Sequence, residues 1–125
     1  MYKIYGKNIS KGNSNTKRVV KFLGICQDPR LQLRILQQAP DSVYKSICNA
    51  FYNIAQNPDF QLPIKHRHRF SKYNRIITNI ISPQVSIKKK RKIIQRGGFP
   101  FLGVILPAVI STALSFIGSK FIKSD

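Results

Sequence analysis

The chain has 125 residues, with 22 lysines and arginines against four aspartates and no glutamate, for a net charge of +18. Such an excess cannot be neutralised internally and says little about fold, but it points to nucleic acid or an anionic membrane as partner. General acid–base catalysis draws on carboxylates and histidines, and only Asp28, Asp41, Asp59, Asp125, His66 and His68 are present, three of the aspartates beside prolines at breaks; the chain reads as a non-enzyme.

Residues 1–16 mix glycine, serine and asparagine with lysines and hold few apolar side chains, so little offsets the entropy of ordering them; a flexible basic arm is expected. The arm lacks the apolar core of a signal peptide, which makes a reduced intracellular setting the expectation and leaves Cys26 and Cys48 as buried thiols. Val19, Val20, Phe22, Leu23 and Ile25 then form an apolar cluster ended by Asp28-Pro29. Asp28 can cap a helix that has Pro29 at its first position, holds Leu31, Leu33, Ile35 and Leu36, and stops at Pro40.

Pro40-Asp41-Ser42 opens a clearer helix, in which Val43, Ile47, Ala50, Phe51 and Ile54 recur at helical spacing and Tyr44, Cys48 and Ala55 widen the stripe. Asn57-Pro58 breaks it. A further helix is expected from Pro63 to Ser82-Pro83, with Ile64, Phe70 or Tyr73, Ile77 and Ile80 or Ile81 inward and its cations outward. These segments, residues 17–82, make a small helical domain.

Between positions 65 and 96 lie eleven cations, Lys65, Arg67, Arg69, Lys72, Arg75, Lys88, Lys89, Lys90, Arg91, Lys92 and Arg96, with no carboxylate among them. Each one set on a phosphate releases a condensed counterion, so this set is the candidate surface for DNA, contacted through its backbone. The block from Lys88 to Lys92 would serve equally as a nuclear import signal or a contact for anionic lipid. His66 and His68 sit within the run, where a metal ion would meet only like charge; no metal and no cofactor are expected.

Residues 83–98 read as a basic linker ending in Gly97-Gly98, and no charged residue follows from Phe99 to Ile117. As a helix that stretch would be about 28 Å long, close to the hydrocarbon thickness of a bilayer. Pro100 suits its first turn, and Pro107, whose ring crowds the Gly103 carbonyl, predicts a kink. Gly103, Pro107, Ser111, Ser115 and Ser119 form a small-residue stripe, while Leu102, Ile105, Leu106, Val109, Ile110, Leu114, Phe116 and Ile117, with Phe99 and Phe101 ahead of them, supply apolar surface for a membrane or an oligomer. A tail anchor, a membrane-active segment and a helix buried against the protein or an oligomer all fit.

Pro40-Asp41, Ile47-Cys48-Asn49-Ala50, the basic helix from Lys65, and Ser86 followed by Lys89-Lys90-Arg91-Lys92-Ile93-Ile94-Gln95-Arg96-Gly97-Gly98-Phe99 and a Leu/Ile/Pro-rich tail resemble the small basic proteins of Maverick/Polinton elements and adintoviruses. Those resemble in turn the adenovirus core protein X precursor. The likeness covers about residues 31–119, and the basic, Gly-Gly, apolar junction is its most distinctive part. It implies a minor virion protein packaged with the genome that condenses DNA, placed in the virion and the host nucleus beside capsid proteins. It also implies processing after Gly97-Gly98 by a viral cysteine protease, although Gln95 stands where that protease prefers an aliphatic residue.

The expectation is therefore an all-α protein: the arm, a small helical domain, and a separate C-terminal apolar helix over residues 99–125. Its favoured function is a basic minor virion or core protein with a membrane-interacting tail. A tail-anchored or membrane-lytic protein holding anionic lipid is the alternative, and an adaptor whose helices bind another protein is a third class.

Overall fold

Asp28 acts as its place before Pro29 predicts: its carboxylate accepts the backbone N–H groups of Arg30, at 3.0 Å, and Leu31. In the computed structural model, which describes residues 14–56, 62–98 and 100–124, helices follow one another with no strand among the described residues. They are α1 (Ser14–Ile25), α2 (Pro29–Gln38), α3 (Asp41–Gln56), α4 (Ile64–Lys72), α5 (Asn74–Ile81), α6 (Ile87–Gln95) and α7 (Leu106–Ser124), the last preceded by a π-helical turn, Phe101–Ile105. The all-α reading holds. Of the expected basic arm, residues 1–13 lie outside the described residues, while residues 14–16 already belong to α1, with Thr16 buried and its Oγ1 2.7 Å from the Ser42 hydroxyl.

Helix α3 is the hub, in contact with α1, α5, α6 and α7. Its apolar stripe was wide because it is covered on most sides: Val43, Tyr44, Ile47, Cys48, Ala50 and Phe51 are all buried, although Ala55 is exposed. Burial pushes the Cys48 thiol up to about 12, against a weaker opposing pull from Lys90, and both Cys26 and Cys48 are buried free thiols.

The terminal apolar segment is not separate. Phe101, Leu102, Ile105, Leu106, Val109, Ile110 and Ala113 are buried in one cluster with Leu23, Val43, Ile47 and Phe51, and α7 packs along both α1 and α3. The reason is supply: the wide stripe of α3 needs covering, and the long uncharged run is the largest source of core side chains to cover it. Phe101 stacks on Phe51 with ring centroids 5.5 Å apart and meets Tyr73 edge-on at 5.5 Å. No described helix is long and apolar enough to cross a membrane.

Several local departures accompany this packing. The expected continuous helix from Pro63 divides at Tyr73, the link between α4 and α5, which lets Phe70 and Tyr73 reach the aromatic cluster while Ile77 and Ile80 enter the core. Ile64, expected on the inner face, is exposed instead. The expected linker contains helix α6, opened by Ser86, whose Oγ accepts the Lys89 N–H at 3.2 Å, and anchored inward by Ile94. Pro107 is accommodated by the preceding wide turn, in which the Leu106 N–H reaches the Phe101 carbonyl. The small-residue stripe meets the end of α1: the Ser111 hydroxyl donates to the Gly24 carbonyl, and a Cβ at Gly24 would lie 3.0 Å from Ile110.

Candidate nucleic-acid interface

The candidate cations divide by what the fold does with them. On α4, Lys65, Arg67, Arg69 and Lys72 are exposed, and the Arg67 Nε donates to the Leu62 carbonyl at 2.9 Å, which ties its stem to the start of the helix. Arg75 projects from α5. On α6, Lys88, Lys89 and Lys92 are exposed, as is Arg96 at the C-cap, whereas Lys90 and Arg91 are half-buried. Lys88, Lys92 and Arg96 recur every four residues, about one helical turn apart, and form a row on the side of α6 away from Ile94. Helix α5 packs against both α4 and α6, so these cations occupy neighbouring elements.

Arg91 is half-buried and turned toward the fold. Its guanidinium donates to the Ala39 carbonyl at 2.7 Å and to the Asp41 carboxylate at 3.1 Å, and its Cζ lies 4.4 Å from the centre of the Tyr44 ring. It thereby satisfies a carbonyl at the end of α2 and pins α6 to the α2–α3 corner. Gln95 completes the corner, its Nε2 donating to the Tyr44 hydroxyl at 2.8 Å while that hydroxyl donates to the Leu36 carbonyl. Burial raises the Tyr44 pKa, and the Gln95 hydrogen bond and the Arg91 charge oppose the rise. Counting charge on the chain could not separate Arg91 from its neighbours. The available signal was its position between Ile87 and Ile94 on the inner side of α6.

The electrostatics are one-sided. Arg91–Asp41 is the ion pair found among the described residues, and no carboxylate lies anywhere from Leu62 to Gly98. His66 on α4 is held below the usual imidazole range by burial, reinforced by the charges of Lys65 and Arg69. Among the described residues no three histidine, cysteine or acidic side chains gather as a metal site.

The junction behind the basic helix is well defined. Gly98 is exposed with φ of +91°, a conformation that favours glycine, and a Cβ at Gly97 would fall 2.5 Å from the Phe101 ring. The pair thus turns the chain from α6 into the core under Phe101, which accounts for both glycines structurally. Of the residues expected to meet a membrane or an oligomer, Phe101, Leu102, Gly103, Ile105, Leu106, Pro107, Val109 and Ile110 are buried, and Leu114 is half-buried. Phe99 and the side chains of Phe116 and Ile117 lie outside the described residues.

Compared with protein-family models, with curated proteins and with solved structures, the chain finds no match in any of the three.

Proposed function

We propose that this is a basic minor virion or core protein that binds and condenses DNA through the phosphate backbone, without reading sequence. The observation that carries the reading is helix α6: an N-capped helix anchored by Ile94 and Arg91 that holds Lys88, Lys89, Lys92 and Arg96 outward, with no acid on it and with Asp41, on the adjoining α3, already paired with Arg91. A row of cations on a helix meets phosphates with less backbone ordering cost than a disordered tail does, and three of its four members are lysines, point charges suited to phosphate oxygens. The resemblance to the Maverick/Polinton and adintovirus proteins supplies the setting: packaging with a viral genome, passage through the host nucleus, and contact with capsid proteins and a viral cysteine protease.

The test is a salt series of duplex binding. Replacing Lys88, Lys89, Lys92 and Arg96 together by glutamine is expected to lower the log–log salt slope by roughly 3 to 4, about 0.9 for each phosphate contact removed. An unchanged slope in a folded variant refutes the assignment. The membrane-interacting tail expected beside DNA binding, like the alternative of a tail-anchored or membrane-lytic protein, requires residues 101–113 to leave the core they share with α1 and α3. It therefore ranks second, and dye release from anionic vesicles under conditions that keep the fold intact would reverse that order.

A further inference from the structure

A second set of exposed cations lies on α1, which the DNA reading leaves unused. Thr16, Val20 and Leu23 are buried, and Lys17, Arg18 and Lys21 stand exposed on the other side of the helix, Lys17 and Lys21 four residues apart and Arg18 three before Lys21. Helix α3 fixes where this face points. The Thr16 hydroxyl meets the Ser42 hydroxyl at 2.7 Å, which puts α1 on the Ser42 side of α3. Helix α6 meets α3 elsewhere: the Gln95 Nε2 donates to the Tyr44 hydroxyl at 2.8 Å, the Arg91 Cζ lies 4.4 Å from the Tyr44 ring centre, and the charge of Lys90 is felt at the Cys48 thiol. At about 100° per residue, Tyr44 and Cys48 lie roughly 200° and 240° round α3 from Ser42. Helices α1 and α6 therefore flank α3 on opposite sides, and the exposed cations of each point away from it.

We propose that α1 is a second duplex-binding face and that one molecule of the protein holds two DNA duplexes, one on α6 and one on α1. Resting on the DNA reading, this makes condensation a matter of bridging duplexes through single molecules. Packed helix axes lie about 8–10 Å apart, so α1 and α6 are about 16–20 Å apart across α3. With the side chains added, the two duplexes are held farther from each other than the Debye length of about 8 Å at physiological salt, which screens their repulsion. The four aspartates of the whole chain are fewer than the three cations on α1 and the four on α6 taken together, so the two faces cannot both be neutralised from within. An anionic bilayer competes for α1, because Phe22 and Ile25 share its outer side. Phe22 is only 39% exposed, however, and a single free isoleucine is ordinary on a protein surface.

The test is capture of a fluorescent duplex by beads that carry another duplex, using the full chain at physiological salt with DNA in excess, beside anisotropy on one duplex alone. Changing Lys17→Gln, Arg18→Gln and Lys21→Gln together alters three exposed side chains. This variant is expected to keep its thermal melt and its binding to a single duplex through α6, while capture falls about fivefold or more. The variant with Lys88, Lys89, Lys92 and Arg96 changed to glutamine is expected to lose capture as well. Full capture by the α1 variant overturns the proposal and leaves the DNA reading standing, and a dimer that bridges through two copies of α6 would give that result. Equal loss of capture and of single-duplex binding makes α1 part of one continuous face and overturns it too. Failure of the unaltered chain to bind any duplex removes the DNA reading and the bridging with it. If the α1 changes spare capture and abolish binding to equimolar phosphatidylcholine–phosphatidylserine vesicles, the face belongs to a bilayer and the proposal is wrong.

Discussion

Arg91 and Lys88 lie one turn apart in the same basic helix, and the structure assigns them opposite consequences. Arg91→Gln removes a 2.7 Å charge-assisted hydrogen bond to Ala39, a guanidinium 4.4 Å from the Tyr44 ring centre and the pair with Asp41. The Asp41 side chain is 56% exposed, so screening reduces that pair to a fraction of a kcal/mol. The half-buried hydrogen bond and the ring contact bring the cost to about 2–3 kcal/mol, because the Ala39 carbonyl loses its donor. For a chain of this size that is a fall in Tm of roughly 6–15 °C. Lys88→Gln, at an exposed position without a hydrogen bond or ion pair among the described residues, is expected to leave Tm within about 1 °C and to lower the salt slope of DNA binding by roughly 0.9. Thermal unfolding and a salt-series titration on both variants decide the matter. If Arg91→Gln leaves Tm untouched and takes the slope down instead, the assignment of this arginine to the fold is wrong.

Further expectations follow from the core and the junction. Phe101→Ala, which removes the ring stacked on Phe51 and met edge-on by Tyr73, should cost about 3–5 kcal/mol by urea denaturation, whereas a detached tail would show no loss. Cys48 titrates near 9.0 when unfolded and at about 12 when folded, so the unfolded state releases its proton first as pH rises. Stability should therefore be at full strength below about pH 9 and fall by up to about 1.4 kcal/mol per pH unit toward pH 12, with Tyr44 adding to the loss; Cys48→Ala should flatten the cysteine part of that slope in alkaline denaturation curves. Gly98→Ala meets no neighbour within 4 Å, so its cost is that of the positive φ alone, about 1–2 kcal/mol in the same denaturation assay.

Local signals in the sequence translated well where the physics is local. The Asp28-Pro29 start, the stop before Pro40 and the core stripe of α3 all depend on residues within a few turns of one another, and the structure carries them as written. What did not translate depends on partners distant in the chain. An uncharged stretch of bilayer length reads alike whether lipid or protein covers it, and only the packing of α1 and α3 around it distinguishes the two. The break at Tyr73 has no proline or glycine to announce it, being set by where Phe51 and Phe101 take the aromatic rings. Ile64 was placed inward because the apolar period was carried back through Tyr73, where the helix is in fact interrupted. For the candidate interface, the cations were visible as composition, but the selection of Arg91 out of the basic run rests on Ala39 and Asp41, some fifty residues earlier.

Because residues 101–113 complete the hydrophobic interior, the earlier helices have no finished surface to close upon while the ribosome is still making that stretch. Until that stretch is added, Leu23, Val43, Ile47 and Phe51 lack the side chains that cover them in the finished fold. Closure of the interior thus waits on residues 101–113, the least charged part of the chain.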